Sequence, residues 1–118
     1  MDQTAFYGRI YTADSGIVKN TLREWLHTHD LHEKLKLSGE QIVYEDARIY
    51  VYCYEDSGTE PGREKFLVEG HTSDSLDLMR QQLQTLLDLF RQKNIRSTFE
   101  CVVVDESGHE VSDLIDVS

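Results

Sequence analysis

Three of the five histidines, His27, His29 and His32, fall within six residues of one another, with Asp30 and Glu33 beside them. On a helix, His29, His32 and Glu33 stand at i, i+3 and i+4 and share one side. Imidazole nitrogens and a carboxylate on one face suit zinc or nickel. The spacing is not that of HExxH, and no fourth ligand or general base accompanies the three. Two plainer readings stand beside the metal: histidines at a helix C-terminus that meet its dipole and water, or a pH-responsive contact.

A second constellation is aromatic. Tyr7, Tyr11, Tyr50, Tyr52 and Tyr54 occupy alternating positions of strand-like segments, with Arg9, Arg48 and Lys65 interleaved. Phenols gathered on one open sheet face suit a docking platform, because tyrosine offers apolar area and a polar tip together. The same pattern also arises from cross-strand aromatic pairing on a wet face, or on a face covered by the C-terminal tail. RNA-binding domains of the RRM type stack bases on sheet aromatics. No segment here has their K/R-G-F/Y pattern, and the net charge has the opposite sign.

The turn Asp14-Ser15-Gly16-Ile17-Val18 resembles the D-x-x-G-I-V region of ACT regulatory domains, with one position missing between Asp14 and Gly16. That resemblance covers about a dozen residues. It implies a βαββαβ order and an amino-acid effector site at a subunit interface, to which Asp14 and Gly16 would contribute. Read by themselves, the same residues are ordinary helix initiation. G-x-S-x-G, Walker and G-x-G-x-x-G patterns are absent, and no Ser, His and Asp spacing suggests a triad. The expectation is a non-enzymatic protein without a cofactor.

Charge narrows the partner class. Twelve Lys and Arg face 22 Asp and Glu, a formal charge of −10, which argues against nucleic-acid backbone as the ligand. From Ser97 to Ser118 there is no cation, while Glu100, Asp105, Glu106, Glu110, Asp113 and Asp116 supply six of the acids. Glu55, Asp56 and Glu60 form a second patch. Such patches steer basic protein partners, or serve solubility alone. The candidate partner-binding residues are therefore the five tyrosines together with Glu106, Glu110, Asp113 and Asp116, and the acidic and aromatic surfaces are expected to lie apart.

These residues need elements to position them. Residues 5–12 alternate as a strand, and from Ile17 the spacing Val18, Leu22, Trp25, Leu26 is helical. Ser38-Gly39 closes that region. Residues 41–54 alternate as one long strand irregular near Glu45-Asp46, or as two hinged there. Residues 57–62 read as an exposed hairpin loop, and a further strand runs from about Arg63 to Gly70. The stripe Leu76, Met79, Leu83, Leu86, Leu87 and Phe90 marks a second helix to about Lys93, with Asn94 as the C′ residue. Residues 97–105 give the last main strand, followed by a turn at Ser107-Gly108.

The sum is one domain over 1–118, with an acidic extension from about 106. We expect an α+β fold with two helices on one face of a four- to five-stranded, mainly antiparallel sheet in ferredoxin-like βαββαβ order. Cys53 and Cys101, with no CxxC spacing, are expected as buried free thiols on opposite edges. With no signal-peptide pattern or apolar run of membrane-spanning length, the expected setting is the cytoplasm. The expected function is protein interaction or regulation without membrane involvement. Leu78 and Leu89, eleven apart on the polar side of the second helix, leave room for a homodimer contact. The alternative is an ACT-like domain that responds to a small molecule or metal.

Overall fold

Alternation of apolar residues in segments of about eight builds the sheet, and two stripes at helical spacing cover it. The computed structural model describes residues 2–36, 39–56 and 64–117. In chain order these give β1 (Gln3–Ile10), α1 (Ser15–Leu26), β2 (His32–Lys36), β3 (Gly39–Glu45) and β4 (Ile49–Asp56). Then follow β5 (Lys65–Thr72), α2 (Leu76–Gln92), β6 (Ser97–Val104) and β7 (Ile115–Val117). All strands join one sheet in the order β2-β3-β4-β5-β1-β6-β7, with every pairing antiparallel.

This is an α+β fold, but the four- to five-stranded ferredoxin-like expectation is overturned by the seven strands described. Helix α1 carries the chain from β1 to β2 on the far edge, and β2 to β5 then return as a meander. Three local features account for the difference. Residues 32–36, expected in a helix end or connection, pair with β3 instead. They carry one apolar side chain, Leu35, because an edge strand does not need a buried stripe. Residues 41–54 are two strands, not one: the Asp46 carboxylate accepts from the Arg48 and Ile49 N–H groups and closes a tight turn between β3 and β4. That turn shifts the alternation, so Ile42 is buried and Val43 lies opposite Tyr52 on the other face. The end of the acidic extension adds β7 beside β6. The expected loop at 57–62 lies outside the described residues.

Both helices start on side-chain caps. The Asp14 carboxylate accepts from the Ile17 N–H at 3.2 Å, and the Ser75 hydroxyl from the Leu78 N–H at 3.2 Å, which satisfies backbone donors that have no helical partner. Helix α1 ends on His27 in the left-handed conformation (φ 54°), and α2 is followed by Asn94 (φ 60°).

The buried stripe of α1 is Val18, Thr21, Leu22 and Trp25, and that of α2 is Met79, Leu83, Leu86, Leu87 and Phe90. They close over Phe6, Ile10, Ile49, Val51, Phe66 and Val68 of the sheet. Each such side chain contributes about 1.5–3 kcal/mol on burial. Trp25 satisfies its indole N–H on the Gln82 carbonyl of α2 at 2.9 Å. Leu89, expected on the polar side, packs instead against the core.

The rings of Phe6 and Phe99 leave no room for a neighbour. A Cβ at Gly70 would collide with the Phe6 ring and the Tyr50 carbonyl, and one at Gly8 with the Phe99 ring. Cys53 and Cys101 are buried and free, as expected. They lie on the inner strands β4 and β6 rather than at opposite edges, with β5 and β1 between them. Three strand spacings, about 14 Å, exceed the reach of a disulfide.

Beyond β4 the helix side becomes polar. Lys19 of α1 meets Glu40 at 3.0 Å and Glu33 at 3.4 Å, and Arg23 meets Glu33 at 2.8 Å. Desolvation alone would lower the Lys19 pKa, but the two carboxylates outweigh it and raise it, while the Lys19 hydrogen bond holds Glu40 below its ordinary value. On the other side of α1, Lys93 donates to Thr21 at 2.7 Å and Glu24 at 2.8 Å and ties the helices together.

Candidate functional site

Because both helices pack on one side, every second residue of each strand faces away from them. The strand register assembles these residues into rows. The first runs across all seven strands: His32, Val43, Tyr52, Glu69, Tyr7, Glu100, Asp116. The next, two residues along, is Lys34, Gln41, Tyr54, Leu67, Arg9, Thr98. On the other side of the first lies Tyr50, His71, Ala5, Val102.

The first row alternates phenols and carboxylates. Tyr7, 40% exposed, stands directly between Glu69 and Glu100, and Glu69 stands between Tyr7 and Tyr52. Glu69, Glu100, Asp116 and Arg9 form no ion pair among the described residues, so their charges are available to a partner. Tyr7, Arg9, Tyr54, Glu69, Glu100 and Asp116 border a shallow hollow of about 550 Å³.

Aromatic contacts fix the surrounding rings. Tyr52 and Tyr54 lie 5.0 Å apart between centroids, and Tyr50 stacks on His71 at 5.3 Å. The Arg96 guanidinium lies 5.2 Å from the centre of the Tyr11 ring. Burial and the nearby Glu69 carboxylate push the Tyr54 phenol above its ordinary pKa, which keeps it a neutral hydrogen-bond donor across the physiological range.

All five tyrosines singled out in the sequence thus meet on one face. Arg9 and Lys65 join them, Lys65 pairing with Asp56 at 3.4 Å. Arg48 does not. Its guanidinium bonds to the carboxylate of Asp74 ahead of α2 and to Gln82. Burial would raise the Asp74 pKa, but the hydrogen bonds from Gln82 and Arg48 win and lower it.

The acidic extension is not a separate surface. Asp116 belongs to the first row, and Glu106 borders a second hollow with Tyr50, His71 and Ala5. Glu110 pairs with Val104 in an isolated bridge, and Asp113 is exposed. The Asp105 carboxylate organises the intervening turn by accepting from the Ser107 and His109 N–H groups. Glu69 and Glu100 were the missed members of the site. Their alternation with Leu67 and Val102 already placed them on the open side, but as single acids inside strands they did not stand out from the run in the extension.

The remaining candidates are dispersed. His29 lies exposed in the turn after α1, while His32 and Glu33 are consecutive in β2 and project to opposite faces. Glu33 is engaged by Arg23 and Lys19. Among the described residues no group of three His, Cys, Asp or Glu is placed to hold a metal ion. Asp14 caps α1, and Gly16 follows in its exposed first turn. Burial pushes the thiols of Cys53 and Cys101 up from their ordinary pKa, which makes them poor nucleophiles.

Comparison with known protein families, with curated proteins and with solved structures finds no match. Among the described residues no helix is long and apolar enough to cross a membrane.

Proposed function

We propose that this chain is a protein-docking module whose open sheet face takes an extended, basic segment of a partner protein. The observation that carries the reading is the row Tyr52, Glu69, Tyr7, Glu100, Asp116. An arginine or lysine lying over the Tyr7 ring meets the negative face of the phenol and a carboxylate on either side. Cation–π attraction at an exposed site contributes about 0.5–1 kcal/mol, and an exposed ion pair contributes a similar amount. Several such contacts along the row give micromolar affinity, and the net charge of −10 speeds encounter with a cationic partner. The role is binding and regulation by occupancy rather than catalysis.

Calorimetric titration with an unstructured peptide of alternating Arg and Ser, against the same peptide with Glu for Arg, tests this. The basic peptide is expected to bind with an affinity that falls as salt rises. Tyr7→Ala, and Glu69→Gln with Glu100→Gln, should each weaken it about tenfold. Equal binding by the wild type and the Glu69→Gln, Glu100→Gln variant overturns the assignment of the site.

A further inference from the structure

The row through Tyr7 and the row through Arg9 are complementary to each other where they cross β5, β1 and β6. One carries Glu69, Glu100 and Asp116 and no Arg or Lys. The other carries no acid, and its Arg9 stands on β1 between the strands of Glu69 and Glu100, while its Lys34 lies three strands from Glu69 and takes no part. The rows are two residues apart, about 7 Å. A two-fold axis lying between them in the plane of the face, perpendicular to the strands, superposes each row of one molecule on the other row of a second. Such an axis keeps β1 over β1 and β5 over β5, so the two sheets pack aligned, as in face-to-face sandwiches. A patch that matches itself under a two-fold rotation is what an isologous dimer requires.

We infer that the occupant of this face, when no basic partner is bound, is a second copy of this chain. Arg9 of each copy then lies over Tyr7 of the other, between Glu69 and Glu100. The register dictates this match, because Arg9 follows Tyr7 by two positions on the same face of β1. Tyr52 and Tyr54, already 5.0 Å apart, meet Tyr54 and Tyr52 of the second copy and extend the aromatic contact. Self-association therefore places the chain's own arginine where the partner's arginine docks. The two events exclude each other. The inference rests on the reading of this face as a docking surface and names a competitor for it.

Sedimentation velocity over a range of protein concentrations provides the test. The wild type is expected to shift from monomer to dimer with rising concentration. Arg9→Glu and Glu100→Arg should each raise the dimer dissociation constant tenfold or more. An equimolar mixture of the two variants should dimerise again. In the mixed dimer one contact between positions 9 and 100 is that of the wild type, and the other has its two charges exchanged, so both are attractive. Circular dichroism establishes that the variants are folded, and the milder Arg9→Gln serves if Arg9→Glu is not. A wild type that stays monomeric at millimolar concentration, or a dimer indifferent to Arg9→Glu and Arg9→Gln, overturns the inference. Titration of the Arg9→Glu variant with the Arg-Ser peptide separates the two ideas. A monomer that binds the peptide leaves the docking reading in place, and one that does not removes it.

Discussion

Phe6 and Tyr7 are consecutive residues of β1, yet one lies on each face of the sheet, and the two faces follow opposite rules. On the helix side the chain buries its rings and pairs charges: Phe6 is completely buried, and Lys19, Arg23, Glu33 and Glu40 answer one another. On the open side the rings are half-exposed, and the acids of the central row have no ion-pair partner among the described residues. A face shaped by folding alone tends to resolve its charges locally. That difference is what the proposed docking reading of the open face rests on.

Substitutions can break that contrast, starting with the largest expected effect. Phe6→Ala removes a fully buried ring and should cost about 4 kcal/mol, read as a lower urea midpoint at unchanged slope. Gly70→Ala should cost about 3 kcal/mol, because the added methyl meets the Phe6 ring and a backbone carbonyl that cannot move aside. Tyr7→Ala, one residue from Phe6, should change stability by under about 0.5 kcal/mol while weakening the basic peptide about tenfold. A large stability loss at Tyr7 would show that the open face is structural.

The smallest effect concerns pH. Asp74 has its pKa lowered in the folded state, so its contribution is present above the unfolded value near 3.8 and is lost as pH falls through the folded value. Asp74→Asn should therefore flatten the stability profile below about pH 4. It should leave peptide binding at neutral pH unchanged, because Asp74 lies with Arg48 and Gln82 and away from the open face.

How much of this was legible in the sequence follows from which signals are local. The stripe from Leu76 to Phe90 specifies α2, and alternation specifies β1, β5 and β6, because both signals reside in a dozen residues. The tyrosine face was legible for the same reason. The β2–β3 hairpin was not, since His32-Glu33-Lys34-Leu35 shows no apolar period and is held by ion pairs to α1 that a linear reading does not reveal. The row through Glu69 and Glu100 depends on register between strands, which is a property of pairs of segments rather than of either one.

Trp25, the only tryptophan in the chain, sits between the two helices with its indole bonded to Gln82, while five of the six tyrosines line the opposite side of the sheet. The molecule thus carries two spectroscopic reporters separated by a β-sheet. Tryptophan emission follows the integrity of the helical layer, and tyrosine signals follow the surroundings of the open face. Unfolding and the docking proposed for the open face therefore have separate reporters that need no label.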